Sequence, residues 1–243
     1  MRGPCRRIAL FGAALLLGCK AETLGVDVPR GGPDEISVED LQRDVWSLTR
    51  NPGEGDSLLS GSHTSTHSRT VQTRLQQMHT LPAFDDSYAL EQAGGGEWIC
   101  GLKDGRSGKG VVVVAPSVGT RASTGAAPLA SLISLAKAFD SPRPPHHSLV
   151  LCAAPSEDLE TWWSRPALPA SETLALFVLG PLDGEQLREE TLPAGPEGVT
   201  ITRLHTGRRA IHGTSEDTLD RIDYRAIRAR LGEVHARVVG VEE

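Results

Sequence analysis

Aromatic side chains are scarce. The 243-residue chain holds four phenylalanines, four tryptophans and two tyrosines, 4 % of its length. So thin a supply excludes a stacking platform for sugars or bases. Positive charge is not in excess either: 25 Lys and Arg stand against 31 Asp and Glu, a net of −6. The cations do not cluster, which excludes a nucleic-acid binder, because that function needs a basic surface to displace phosphate counterions. Cysteine occurs four times and never as C-x-x-C, so a cysteine-based zinc knuckle is absent. No G-x-S-x-G is present, which removes the usual nucleophile elbow. Beyond the first seventeen residues no run is apolar enough to span a bilayer. What remains is 39 % hydrophobic and 23 % charged, the balance of a globular chain of one medium domain.

The first residues read separately from the rest. Met1 to Arg7 carries Arg2, Arg6 and Arg7 without an acid, and Ile8 to Leu17 is an apolar run too short to span. That is the secretory signal pattern. Leu16-Leu17-Gly18-Cys19 resembles the bacterial lipobox, which implies removal of residues 1–18 and lipidation of Cys19 as the new N-terminus. Cleavage takes away three arginines and no acid, so anionic headgroups repel the mature chain and attachment must come from acyl chains. The expected place is the bacterial cell envelope, lipid-anchored at the outer membrane or its periplasmic face. Lys20, where an Asp would favour inner-membrane retention, leans toward the outer membrane. Of the four cysteines, Cys100 and Cys152 then remain, in an oxidising compartment where a disulfide persists if their Cα atoms come close enough.

Residues 19–35 read as a flexible tether containing Arg30-Gly31-Gly32-Pro33. A domain over 36–243 follows. Ser37 is placed to cap a helix, with Asp40 as its capping-box partner and Ile36 stapled onto Leu41. Val38, Leu41, Val45 and Leu48 repeat at helical spacing, as do Val71, Leu75 and Met78 within 68–79. The period then shortens. Residues 97–102, 111–115, 148–154, 174–179 and 199–204 read as strands, and Val111 to Val114 is apolar on both faces, which suits a strand between two layers. Helices are expected over 124–139 and 224–239. Strands alternating with helices predict an α/β fold with a largely parallel central sheet.

Several tempting motifs dissolve on inspection. Gly105 to Gly110 looks like a phosphate loop, but residue 110 is Gly and a strand follows where a helix is needed, so it is a turn. His63 and His67 stand at i, i+4 in a Ser/Thr-rich stretch with no third ligand nearby. His146-His147 lies in a Pro-rich connector, and Trp162-Trp163 reads as core and rim.

Four stretches taken in order resemble metallopeptidase family 28, the co-catalytic zinc aminopeptidases. Val111 to Val118 is similar to that family's buried strand ending in Ala-His-x-Asp, and Arg121 to Ala127 to its Asp-Asn-Ala-Ser-Gly turn. Leu149 to Asp158 is similar to its strand ending in Glu-Glu, and Ile211 to Asp223 to the segment bearing its last zinc-binding His. The resemblance implies a three-layer sandwich around a mixed, largely parallel sheet. It assigns Glu157 to the general base, Asp158 to a metal carboxylate and His212 to the last imidazole ligand. The departures are equally specific. Pro116 and Val118 stand for the first His and its paired Asp, Arg121 for the bridging Asp, and Gly180 near the later carboxylate. Pro and Val carry no ligand atom, and Arg stays cationic.

The resemblance therefore implies a vestigial site with no metal, in which Glu157 and Asp158 repel each other in a half-buried cleft. Arg121 is expected to pair with one of them in the place of the lost cations. The leading expectation is a catalytically inactive, membrane-anchored binding module for a peptide or an envelope protein partner. The trimmed stretch from Gly180 to Val199 would leave its cleft open. The alternative is an active metal-dependent aminopeptidase or hydrolase, with zinc held by replacement ligands among His63, His67, His205 and His212. A third reading is a structural spacer between membrane and partner.

Overall fold

A computed structural model describes residues 31–50, 57–60, 66–92, 96–141, 143, 145–207 and 209–241. Cys19, the signal segment and His63 lie outside the described residues. Among those described, no helix is long and apolar enough to cross a membrane.

Helix α1 (Val38–Thr49) starts where its cap is: Ser37 Oγ accepts from Asp40 N–H at 3.0 Å. Leu41, Val45 and Leu48 lie on one fully buried stripe, and Ile36 is buried in the same cluster. The Asp40 carboxylate does not close a capping box. It reaches Lys137 at 2.6 Å, tying two helices together, and that hydrogen bond holds its pKa below the ordinary carboxylate value. A 3-10 turn at Pro33–Glu35 precedes the helix, three residues ahead of the expected start of order.

Helix α2 (Thr66–Gln77) buries Val71 and Leu75, and the turn that follows it passes through His79, whose φ is 53°. Two short strands, β1 (Leu81–Pro82) and β2 (Ala89–Gln92), lead into β3 (Gly96–Lys103) and β4 (Gly110–Pro116). A π-helical turn at Ala122–Ala126 runs into α3 (Ala127–Ala138), and β5 (Ser148–Ala154), α4 (Glu160–Ser164) and β6 (Thr173–Leu179) follow. The chain closes with β7 (Arg188–Thr191), β8 (Thr200–His205) and α5 (Tyr224–Val239).

The sheet order is β1-β3-β5-β4-β6-β8-β7, with β2 pairing β3 beside β1. The four central strands β5, β4, β6 and β8 are parallel, and β3 and β7 flank them antiparallel. This is the mixed, largely parallel α/β architecture that the sequence implied. The 103–110 turn does not join neighbours: β5 lies between β3 and β4, and the turn crosses its lower end with Arg106 N–H donating to His146 O at 2.9 Å. Alternation along the valine run accounts for both faces. Val111 and Val113 pack beneath α1, α3 and α5, while Val112 and Val114 face Trp98 and Trp162 under α4 and the loops beside it. Directly opposite each other in β3 and β5, Cys100 and Cys152 are joined by a disulfide with Cα atoms 4.2 Å apart.

Candidate functional site

After β5 the chain crosses to the far side of β4 to form β6, so the sheet's switch point lies at the carboxyl ends of these strands. Open α/β sheets hold their ligands at that place. Local backbone bonds shape it. Ser117 N–H donates to Ala154 O at 2.8 Å and Val118 N–H to Thr124 O at 2.9 Å, which draws the end of β4 against the π-helical turn. That turn exists because Arg121 O accepts from both Gly125 N–H and Ala126 N–H, at 2.9 and 3.1 Å. Gly125 is required there, since a Cβ would stand 2.5 Å from Gly119 O.

The strand ends enclose a pocket of about 20 Å³, lined among others by Pro116, Val118, Thr124, Glu157, Gly180 and Pro181. That is room for little more than one water. This is far smaller than the expected open cleft, and backbone pairing with β8 continues past β6: Gly180 N–H donates to Leu204 O and Thr206 N–H to Pro181 O, both at 2.8 Å. A Cβ at position 180 would lie 2.7 Å from His205 Cβ.

Positions 116, 118, 157 and 180, which the resemblance assigns to the metal and base groups, thus meet in one pocket. Arg121, Asp158 and His212 do not line it. Arg121 is exposed and borders a separate hollow with Thr49, Thr218 and Asp220, and among the described residues it forms no ion pair. The cation facing Glu157 is Arg203, reaching from β8 at 2.9 Å and also lying 3.4 Å from Glu190 on β7. The expected Arg121 pair is therefore corrected. Arg121 leads into the outward side of the π-helical turn, whereas Arg203 stands on the strand surface toward which Glu157 leans. Nor do Glu157 and Asp158 form a half-buried acid pair. Both are exposed, and Asp158 Oδ1 accepts from Glu160 N–H at 2.9 Å in a local turn just ahead of α4.

His212 is buried but committed. Its Nδ1 accepts from Arg209 N–H at 3.1 Å, which places the ring proton on Nε2, 3.1 Å from Asp183. Arg209 completes the cluster with a 3.0 Å bond to the same carboxylate. With both ring nitrogens engaged, no lone pair is free for a metal. Asp217 fastens the same loop to the π-helical turn: its carboxylate accepts from Ser123 N–H (2.9 Å), Ser123 Oγ (2.6 Å) and Gly213 N–H (2.9 Å).

The replacement ligands do not gather either. His67 is buried on α2, and burial lowers its pKa. His205 Nδ1 accepts from Gly207 N–H at 3.0 Å at the end of β8. Among the described residues, no three His, Cys, Asp or Glu side chains are grouped to hold a metal ion. The donor set at the strand ends, one glutamate among Pro, Val and Gly, does not fit a pair of dications. Sequence reasoning missed Arg203, Asp183 and Asp217, none of which stands in a recognisable spacing. Asp217 falls within the segment that the resemblance marked, but for a different residue.

A larger cleft of about 860 Å³ lies beside the pocket, between α1, residues 183–185 and the start of α5. Its lining carries both signs of charge, with Glu39, Asp183, Glu185 and Asp223 beside Arg209, Arg221 and Arg225.

No protein-family model matches the chain, and no curated protein sequence does. Solved structures do match. A glutaminyl cyclase of Bacteroides thetaiotaomicron, solved with N-acetylhistamine, aligns over 85 % of this chain and 99 % of its own with a TM-score of 0.61 and 12 % identity. The LapA aminopeptidase of Legionella pneumophila aligns over 86 % and 74 % at a TM-score of 0.64 and 9 % identity. A Zn-dependent exopeptidase of Parabacteroides distasonis covers 84 % and 98 % at 0.60 and 11 %. At these identities the likeness is one of architecture: the chain has the α/β fold of zinc-dependent exopeptidases, aminopeptidases and glutaminyl cyclases.

Proposed function

We propose that this chain is a lipid-anchored protein of the bacterial envelope whose exopeptidase-like domain is a catalytically inactive binding module. One observation carries the reading. Where the fold offers its ligand position, the walls are Pro116, Val118 and Gly180, and the one acid, Glu157, is engaged by Arg203. A base held by a guanidinium, in a space of about one water, lacks the metal-activated nucleophile that such hydrolysis requires. Binding falls instead to the neighbouring 860 Å³ cleft, whose charges of both signs suit a peptide or an envelope protein. Anchoring is supported by the Leu16-Leu17-Gly18-Cys19 sequence.

Elemental analysis of the purified domain, run beside an aminopeptidase assay on amino-acid anilides with added zinc or cobalt, tests inactivity. The expected result is no stoichiometric metal and no chelator-sensitive release. Two bound zinc ions per chain with turnover that a chelator abolishes would overturn it. Fractionation of cells carrying Cys19→Ala tests the anchor: the protein should move from membrane to soluble fraction, and an unchanged distribution refutes it.

A further inference from the structure

At the opposite end of the sheet lies an apolar hollow of about 230 Å³. Its walls include Val111 and Leu149 at the starts of β4 and β5, Phe139 just past α3, and Val238 and Val239 at the end of α5. Phe139 is braced from behind by His235, whose ring stacks on it with centroids 4.5 Å apart. Val239 is 63 % exposed, the highest value of any large apolar side chain among the described residues. An apolar hollow with so bare a rim invites a cover.

The described chain joins the fold at this rim. Gly32 N–H donates to Ala138 O at 2.5 Å, and Gly31 passes so close to Asp140 that a Cβ would stand 3.0 Å from its carbonyl oxygen. These two contacts bracket Phe139. Immediately upstream the sequence reads Leu24-Gly25-Val26-Asp27-Val28, with an apolar side chain at every second position and Arg30 just before the Asp140 contact. In an extended chain such side chains share one face, and Val28 is within about 10 Å of Gly31 at about 3.3 Å per residue.

We propose that residues 24–28 dock on this hollow as an extended segment, laying Val26 and Val28 over Phe139, Val238 and Val239. Length and sequence single out this occupant: the described chain begins at Gly31 and Gly32, against the residues on either side of Phe139, and the five residues at 24–28 carry the right periodicity and need no second molecule. One consequence rests on the lipid anchor proposed above. The tether would then rise along the base of the sheet, and the strand-end pocket and its neighbouring cleft would face away from the membrane. The docking itself does not depend on lipidation.

Hydrogen exchange on the unlipidated mature chain carrying Cys19→Ser is therefore the test. Amides of residues 24–28 should exchange at least about tenfold more slowly than in the same chain carrying Val239→Asp. Exchange in β4 and β5 should match between the two, showing that the charge at the rim left the fold intact. A Val26→Ser/Val28→Ser variant should lose the same protection with the pocket unaltered. Exchange of 24–28 at the rate of an unstructured chain, or protection that neither variant lifts, overturns the proposal. So does protection that grows with protein concentration alongside a dimer in sedimentation, because a second copy is then the cover.

Discussion

At the scale of single residues the candidate site is a set of polar groups that have found partners other than a metal. Asp217 is the clearest case, buried to 3 % exposure and accepting three hydrogen bonds from Ser123 and Gly213. Asp217→Ala strands two backbone donors and a hydroxyl, and is expected to lower unfolding free energy by about 3 kcal/mol in urea denaturation. Ser123→Ala removes a single donor and should cost about 1 kcal/mol. The Arg203–Glu157 pair is of a different kind, with side chains 27 % and 40 % exposed. Solvent screens it, so Glu157→Gln should change stability by less than about 1 kcal/mol. A larger loss would mean that the pair supports the strand ends far more than its exposure allows. Gly180 sets the limit on restoring an acid here, because any side chain at that position meets His205 Cβ. Gly180→Asp should destabilise by about 1–3 kcal/mol through overpacking, whether or not zinc is present.

At the scale of elements, what the sequence showed was whatever has a long period. Helix α1 announced itself through Ser37 and the Leu41-Val45-Leu48 stripe, and Ser37→Ala should cost about 1 kcal/mol, measured against the unchanged fold by circular dichroism. The valine run of β4 and the apolar run of β5 were equally plain, since both faces of each are covered. The short pieces were not legible. β1 has two residues and β7 four, all exposed in β7, so neither carries a period to read. Strand direction was hidden as well. Nothing in the composition of β3 says that it runs against β5, and its closeness in sequence to β4 does not reveal that β5 lies between them. The site divides along the same line. Pro116, Val118, Glu157 and Gly180 sit at or just past the ends of legible strands, and they line one pocket. Arg203 and Asp183 act across strands and loops far apart in sequence, where side-chain reach decides and periodicity is silent. Arg121 belongs with them: a position in the chain does not tell where a long side chain reaches, and Arg121, leading into the π-helical turn, is exposed.

At the scale of the whole molecule two features should govern stability. The Cys100–Cys152 bridge spans 52 residues and links the antiparallel β3 to the parallel core. Loop-closure entropy assigns it about 4 kcal/mol, so a Cys100→Ala/Cys152→Ala chain should melt well below the oxidised protein, and reduction should reproduce the shift. The second feature is pH. His67, buried against the carbonyls of Leu48 and Leu58, and His235, stacked beneath the basal hollow, are both held below the ordinary histidine value of 6.5, chiefly by burial. Above that value both states of the chain keep these rings neutral, and they add no slope. As pH falls below it the unfolded chain binds protons that the folded chain refuses, so folding free energy drops by up to about 1.4 kcal/mol per pH unit for each ring until its folded pKa is reached. Asp44, raised above 3.8 by burial, acts in the opposite sense, since its folded form keeps a proton that the unfolded chain has lost. Denaturant midpoints taken between about pH 7 and pH 5.5 should therefore decline, and His67→Leu should remove a large part of that decline, because a leucine of similar bulk has no proton to bind. A midpoint that stays flat across this interval would show that neither ring is shielded from water as its packing requires.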